Sequence, residues 1–433
     1  MRILTLTQFY PPIIGGEEEH TRALSHTLAR RGHDVAVATL WHAGMPEFEV
    51  EEDGVRVYRI RSTVGRLSGL FANGGRRFAP PTPDPEALLA LRRIIARERP
   101  QIVHAHNWLV RSFLPFKAWS GARLVVTLHN YYLVCARTTL LREDGLCDGP
   151  NLRKCLACAP GHYGLGKGVV TTLGNLTFSP LERRLVDAFI AVSDAVVTGN
   201  RLARGSAPFH VIPTLIPDDP HAGARADGEC TEVENAELQP YVAQLPMRPF
   251  ILFAGALGRY KGVGTALQAH AELVDAPPLV LIGYPKPDFP LPTPETHPNV
   301  VVLRNWPRRA VLAAWRRCLF GVIPSLWADP CPTVTLEAMG AGKAVIASRI
   351  GGLPDEVVEG ETGLLTTPGD VDALRDAMRL LLDDAALRER MGAAGLQRVS
   401  SYYASAIAER VERVFADALS GPSQVAVGPV ISR

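Results

Sequence analysis

An aspartate and a glutamate eight residues apart, Asp329 and Glu337, stand where a loop leads into a helix in the segment DPCPTVTLE. The apolar run LFGVIP before them is typical of a buried parallel strand, and Pro332 followed by threonines predicts a helix start. The first amides of a helix attract anions, and a carboxylate beside them can accept both hydrogens of a ribose diol. We therefore expect a nucleotide-linked ligand here. The structural alternative is a capping Asp329 and a solvated Glu337.

Two cations, Arg259 and Lys261, follow the first strand of the C-terminal half in the segment FAGALGRYKG. Arginine binds phosphate oxygens as a fork and lysine binds them as a point charge, so the pair suits a departing diphosphate. Two ordinary surface charges in a turn are the alternative interpretation.

The N-terminal half offers weaker candidates. Gly15 and Gly16 lie between the first strand and a helix, where bare backbone amides can approach a phosphate. The segment lacks the G-x-G-x-x-G pattern of hydride-transferring dinucleotide enzymes, which makes that class the least favoured. His129 ends the apolar run RLVVTLH, at the edge of an open sheet where ligands bind, although a lone histidine there is more often structural.

Four cysteines occur in a short insert rich in glycine, aspartate and proline, at Cys135, Cys147, Cys155 and Cys158. In a reducing compartment the spacing fits a structural zinc site, a redox-active C-x-x-C or plain buried thiols. One C-x-x-C is present where the strongest zinc pattern has two, so the three interpretations stay open.

The order of apolar runs predicts two doubly wound α/β domains, because short buried strands alternate with helical segments in two separate sets. A length of 433 residues also exceeds one ordinary core. We expect an N-terminal domain over residues 1–216 and a linker or exposed excursion over 217–248. A second domain is expected over 249–400, followed by a terminal helix over 401–419 that returns to the first domain and a tail over 420–433.

Composition and charge limit the kinds of partner that the protein is expected to bind. With 46 Lys plus Arg against 44 Asp plus Glu, the net charge is +2, and no global field draws in nucleic acid. The sequence shows neither a signal peptide nor an apolar run of about 18 residues that would span a membrane, so we expect a cytoplasmic protein. Two basic amphipathic segments, 91–99 and 308–320, suggest peripheral contact with the inner face of a membrane or helices that cover a sheet.

Taken together, these motifs resemble the retaining glycosyltransferases of the family-4 type, also called glycosyl transferases group 1, across most of the chain. The continuation EAMGAGKAVIASRIGGLPDEV is similar to the family's pattern after its E-x7-E motif. The resemblance implies a GT-B fold, two Rossmann-like domains that face each other across a cleft. The catalytic residues that it implies are His129, Arg259, Lys261, Asp329 and Glu337. The donor-binding residues that it implies are Gly15, Gly16, Arg259, Lys261, Val334, Thr335, Leu336 and Glu337.

The function that this resemblance implies is transfer of a sugar from a nucleotide diphosphate sugar, with UDP as the expected nucleotide, to a small-molecule, lipid-linked or glycan acceptor. Retention of configuration and independence of a catalytic divalent metal are implied too. Asp329 stands where the family has glutamate, and the usual P-N-G-I-D is Pro213 to Pro217 without the Asn and Gly. A GT-B nucleotide-sugar epimerase and a non-catalytic sugar-nucleotide binding protein therefore remain alternatives.

Overall fold

The computed structural model describes residues 1–13, 15–66, 78–142, 145–218 and 232–421. Two parallel sheets divide these residues, one of eight strands and one of six. The predicted architecture of two Rossmann-like α/β domains is confirmed.

The first sheet has the strand order β10-β9-β6-β5-β1-β2-β4-β3, and all neighbours are parallel except β3 and β4. Helices cover both of its faces, and a small hairpin, β7-β8, lies apart from it. The elements of this half are β1 (Arg2–Leu6), α1 (Gly16–Arg30), β2 (Asp34–Leu40), β3 (Phe48–Val50), β4 (Arg56–Ile60), α2 (Thr63–Arg66), α3 (Pro85–Glu98), β5 (Ile102–Ala105), α4 (Lys117–Ser120), β6 (Arg123–Leu128), β7 (Leu141–Arg142), β8 (Gly145–Leu146), α5 (Leu152–Tyr163), α6 (Leu165–Leu185), β9 (Ala188–Ala191), α7 (Asp194–Gly199) and β10 (Phe209–Val211).

The second sheet has the order β13-β12-β11-β14-β15-β16 and is parallel throughout. The elements of this half are α8 (Glu232–Val242), β11 (Ile251–Ala254), α9 (Val263–Ala271), β12 (Leu279–Gly283), β13 (Val300–Arg304), α10 (Arg308–Arg317), β14 (Gly321–Ile323), α11 (Thr333–Gly340), β15 (Val345–Ser348), α12 (Leu353–Glu356), β16 (Gly363–Thr366), α13 (Val371–Asp383), α14 (Ala385–Arg398) and α15 (Ala404–Ser420).

The last helix, α15, packs on the first sheet rather than the second. Its residues Ile407, Val411 and Phe415 belong to the same buried cluster as Leu24 of α1 and Val37 of β2. The chain therefore passes between the two halves twice, once after β10 and once before α15.

The segment 217–248 differs from the predicted linker, because it contains α8 among its described residues. Leu238 is buried against Ala310 and Ala313 of α10, and Tyr241 and Val242 pack there too. The spacing of Leu238, Tyr241 and Val242 puts them on one face of α8. Pro240 obscures that pattern in the sequence. The predicted tail lies outside the described residues from 422 onward.

The two basic segments proposed for membrane contact use their apolar faces within the protein. Leu91, Ile94 and Ile95 of α3 are buried in the first core, and Ala314 and Trp315 of α10 in the second. Neither face is exposed to a bilayer. None of the described helices is both long and apolar enough to cross a membrane.

A fully buried ion pair holds α6 to the first sheet. The Arg111 guanidinium donates to Glu182 Oε2 at 3.0 Å, to Asn175 Oδ1 at 2.8 Å and to Ser179 Oγ at 2.9 Å. The Tyr132 hydroxyl donates to the other Glu182 oxygen at 2.5 Å. The network satisfies both charges away from water, which is the condition for a buried pair to be tolerated.

We expect Arg111→Met to cost about 3–5 kcal/mol of unfolding free energy, because Glu182 would stay buried without its cation. Urea unfolding followed by circular dichroism measures the loss. The matched control is Arg309→Met, since Arg309 and its partner Glu237 are both exposed; that change should cost less than about 1 kcal/mol. Similar losses in the two variants would contradict the role given to the network.

Candidate active site

The predicted phosphate-binding lysine and the predicted first acid contact each other. Lys261 Nζ donates to Asp329 Oδ2 in a short ion pair, and the two side chains are only 20% and 9% exposed. Lys261 Nζ also lies 5.6 Å from the centre of the Trp327 ring. The turn after β11 and the loop after β14 therefore meet at the carboxyl edge of the second sheet.

Two glycines with positive φ make this meeting of loops sterically feasible. Gly262 has φ 74°, and a Cβ there would lie 1.8 Å from the Pro324 carbonyl oxygen. Gly351 has φ 64°, and a Cβ there would lie 2.4 Å from the Asp329 carbonyl oxygen. The next amide, that of Gly352, donates to the same oxygen at 2.7 Å. Only glycine fits such close backbone approaches in the left-handed region.

Glu337 is paired with a residue that the sequence did not single out. Arg308 Nε donates to Glu337 Oε1 at 2.9 Å, from the start of α10. The other three predicted donor-binding residues lie at the start of α11. The Thr335 amide donates to the Pro332 carbonyl at 3.0 Å, and the side chain of Leu336 is buried with Ile216 in the core between the halves. Val334 is half-buried against the second core.

His129 belongs to a wall of four histidines along the first sheet. His129 Nε2 lies 2.9 Å from His106 Nδ1, and the His20 ring stands edge-on to the His129 ring at 4.8 Å between centroids. His20 Nδ1 accepts from the Leu215 amide at 3.2 Å, so its own proton is on Nε2. His104 contacts the His106 ring at 4.3 Å between centroids.

Burial keeps this wall uncharged. Loss of water lowers the pKa of His20 to about 4 and, with the neighbouring His20 charge, that of His104 to about 3. Desolvation, then the neighbouring histidines, puts the pKa values of His106 and His129 well below the usual range. Neutral imidazoles with one donor and one acceptor nitrogen suit contact with sugar hydroxyls.

Gly15 and Gly16 begin α1, as the sequence suggested. The carboxylate of Glu18 folds back over them, since a Cβ on Gly15 would lie 2.1 Å from Glu18 Oε2. Glu17 Oε1 accepts from Asn107 Nδ2 at 2.7 Å. The buried carboxylate of Glu18 therefore stands beside Gly15, where the donor phosphates were predicted to bind.

Contacts between the two halves place these groups in one cleft. The Tyr131 hydroxyl, two residues after His129, donates to the Ala328 carbonyl at 2.6 Å, immediately before Asp329. The Asp194 amide donates to Asp355 Oδ2 at 2.9 Å across the same junction. The segment that follows His129 and the loop that carries Asp329 therefore meet at the junction of the two halves.

Cys135, Cys147, Cys155 and Cys158 are free thiols. Arg137 lies 3.5 Å from Cys158 Sγ, and burial, together with the nearby Cys147, raises the pKa of the Cys135 thiol. Over the part of the chain described here, the one group of three or more gathered metal-ligand side chains is His20, His106 and His129, not the cysteines. The four thiols are not gathered as a ligand group, and the zinc interpretation stays a prediction.

Comparison with known proteins agrees with this geometry. The family of glycosyl transferases group 1 matches residues 238–398, and Glycosyltransferase Family 4 matches residues 14–219. The chain is a glycosyltransferase that contains both of these family domains. The predicted resemblance is thus confirmed, and with it the class of enzyme.

Two relatives span nearly the whole glycosyltransferase. Glycogen synthase of Mycobacterium tuberculosis is 28% identical over 428 residues, which is 93% of this chain and 91% of that protein. D-inositol 3-phosphate glycosyltransferase of Corynebacterium diphtheriae is 29% identical over 437 residues, covering 93% and 90%.

Solved structures share the fold. Sucrose-phosphate synthase from Thermosynechococcus elongatus superposes with a TM-score of 0.71 at 20% identity, covering 96% of this chain and 99% of that one. HepE from Anabaena, in complex with UDP, superposes with a TM-score of 0.64 at 17% identity, covering 96% and 100%.

Sequence reasoning missed several residues of the glycosyltransferase's cleft. Arg308 stood in a segment interpreted as a sheet-covering or membrane-facing helix, and Tyr131 carried no motif. His20 and His106 were not among the expected site residues. The only available signal was the H-x-H spacing of His104 and His106 at a strand end.

The neutral histidines predict acid sensitivity. A folded pKa below the unfolded value of 6.5 means that only the unfolded chain takes up the proton between pH 6.5 and about 4. Stability should therefore fall as the pH falls through that window. Asp355, whose pKa burial raises to about 6, acts in the opposite direction and offsets part of the loss.

His104→Gln should reduce the slope of unfolding free energy against pH by up to one proton, about 1.4 kcal/mol per pH unit. The amide nitrogen of glutamine can keep the 2.7 Å contact with Thr127 Oγ1. Urea unfolding at several pH values between 7 and 4 measures the slope. Parallel curves for wild type and variant would mean that His104 is protonated equally in both states.

Proposed function

We propose that this glycosyltransferase moves a sugar from UDP-sugar to an acceptor hydroxyl or amine with retention of anomeric configuration. The observation that carries the proposal is the Tyr131 to Ala328 hydrogen bond, because it joins the segment after His129 to the residue before Asp329 across the two halves. A donor in that cleft would have its sugar against the histidines and its diphosphate against the cations.

Lys261 and Arg259 are proposed to stabilise the departing diphosphate. Lys261 is already held in place by Asp329, so little reorganisation is needed when charge develops on the leaving group. Arg259 begins the same short turn, and its guanidinium suits a fork to two phosphate oxygens. The protein cations thereby supply the charge for a mechanism that needs no catalytic divalent metal.

Glu337 is proposed to bind the ribose. Its Oε1 accepts from Arg308, and a carboxylate with about four lone-pair sites can still accept from ribose hydroxyls. Arg308 fixes the orientation of the carboxylate and offsets its charge in a buried position. The ribose would then lie beside the start of α11.

The transfer step is proposed to occur on one face of the sugar. The acceptor oxygen forms a bond to the anomeric carbon while the bond from that carbon to the diphosphate oxygen breaks, and the acceptor proton passes to the leaving phosphate. Retention follows because the nucleophile enters on the side from which the leaving group departs. Neutral His129 holds sugar hydroxyls in this step.

Two structural relatives differ in the nucleotide that they hold. HepE was solved with UDP and with UDP-glucose, and the catalytic domain of starch synthase IV from Arabidopsis thaliana was solved with ADP. UDP remains our proposal, with ADP as the outcome that would revise it. A small molecule, a glycan and a lipid-linked sugar are all acceptors of the proposed chemistry.

The proposal is tested with purified full-length protein and UDP, ADP, GDP and TDP sugars, with and without EDTA. We expect thermal stabilisation by UDP sugars and slow release of UDP that EDTA does not change. Proton NMR of the transferred product should show the donor's anomeric configuration. Loss of release in EDTA would overturn the metal-free mechanism, and an inverted product would overturn retention.

The leaving-group role predicts the effect of removing either cation. Lys261→Ala and Arg259→Ala should each lower kcat by more than about tenfold, because each loses over about 1.4 kcal/mol of transition-state stabilisation. Arg309→Ala, an exposed cation away from Asp329, serves as the control and should keep wild-type kcat. Either cleft variant retaining most of its activity would show that its cation does not stabilise the leaving group.

A further inference from the structure

Helix α6 exposes several large apolar residues to solvent and buries polar residues against the protein. Leu165, Val170 and Leu173 are 78%, 61% and 47% exposed, and Leu181 is 43% exposed. Helical spacing puts them on one side of the helix. The buried residues of the same helix are mostly polar, namely Thr171, Thr172, Asn175, Ser179 and Glu182.

The inversion has a physical cause in the Arg111 network. Asn175, Ser179 and Glu182 all bind the Arg111 guanidinium, so the polar side of α6 must face inward. An opposite rotation would bury the apolar side and leave the Arg111 charge without partners. The outward apolar face is therefore a fixed property of the folded chain.

The preceding helix extends this surface. Leu152 of α5 is 51% exposed, and α5 and α6 join through Gly164 in a tight hairpin. Gly168 of α6 packs so closely that a Cβ there would lie 2.3 Å from the Pro160 nitrogen. The two helices therefore pack closely against each other. We call their exposed surface, which contains Leu152, Leu165, Val170, Leu173 and Leu181, the α5–α6 face.

The α5–α6 face is mainly basic, although Lys154 is paired with Asp148 and Arg183 donates inward to the Asn200 carbonyl. Residues 152–185 contain five Lys or Arg and a single acid, Glu182, which is buried against Arg111. Arg153 and Arg184 lie on the exposed side with the leucines. Exposed apolar side chains within a basic rim are typical of proteins that lie on anionic membrane surfaces.

We infer that the α5–α6 face docks on an anionic lipid bilayer. The apolar side chains enter the boundary between headgroups and acyl chains while the basic side chains contact lipid phosphates. A second copy of this chain fits less well, since two basic faces would repel each other across the contact. An anionic bilayer offers negative headgroups to the basic side chains and an apolar interior to the exposed apolar side chains.

The inference concerns a surface and does not depend on the proposed donor or acceptor. It also differs from the membrane contact expected from the sequence, because α3 and α10 bury their apolar faces. Binding is measured in the absence of nucleotide sugar. Its failure would leave the proposed transferase chemistry standing, and the reverse also holds.

The experiment is vesicle flotation of the full chain. Vesicles of phosphatidylcholine with phosphatidylglycerol should carry the protein upward, and high salt or phosphatidylcholine alone should release it. Leu173→Glu should weaken partitioning at least about tenfold, since a leucine that enters the bilayer is replaced by an anion. Arg184→Gln should weaken it about fivefold. The matched control, Val274→Glu, changes an exposed valine in the other half and should bind as wild type.

Circular dichroism and release of nucleotide from donor in solution check that the variants fold, and Val170→Ser serves where Leu173→Glu does not. Absence of flotation with the anionic vesicles at low salt would overturn the inference. So would equal flotation of Leu173→Glu and Val274→Glu. A dimer in sedimentation velocity that Leu173→Glu dissociates, without vesicle binding, would assign the α5–α6 face to a second copy.

Discussion

The double crossing of the chain between the two sheets is the constraint on which the cleft depends. The outgoing and returning segments lie side by side, with the Ile216 amide donating to the Tyr402 carbonyl at 3.0 Å. Asp218 binds both the amide and the hydroxyl of Ser405 at 2.8 Å. Leu336 of α11 packs into the same small core as Ile216. The helix that begins beside Asp329 is thus anchored at the crossing itself.

Charge is distributed unequally across this cleft. The first half contributes histidines that burial keeps neutral, whereas the second contributes the Lys261 pair and Arg259. The charged groups near the proposed diphosphate position therefore come from the second half. His20 also accepts from the Leu215 amide, so the four histidines contact the outgoing crossing. Movement of one half relative to the other would therefore shift the rings around His129.

A buried acidic side chain lies at the centre of a hydrogen-bonded network in each half. In the first, Arg111 holds α6 and so determines which side of that helix is exposed. In the second, burial raises the pKa of Glu356, and Cys331 Sγ donates to its Oε1 at 3.0 Å. The Thr214 amide in turn lies 3.4 Å from Cys331 Sγ, which links the loop of Asp329 to the outgoing crossing.

The sequence by itself determined the two parallel sheets, the turn of Arg259 and Lys261, and the placing of Asp329 and Glu337 at a helix start. These features rest on apolar periodicity, glycines and caps, which involve residues near one another in the chain. Short strands such as β10 and β16 were not predicted, because their sequence patterns are brief. Helix α8 was not predicted because Pro240 interrupts its apolar pattern.

Only the tertiary structure decided which groups meet. Tyr131 and Ala328 are 197 residues apart, Glu337 and Arg308 are 29 apart, and His106 and His129 are 23 apart. Contacts at such separations depend on how strands are ordered and how the halves are joined, which local spacing does not encode. The orientation of α6 is decided in the same way, by Arg111 on a distant element that outweighs the helix's own apolar pattern.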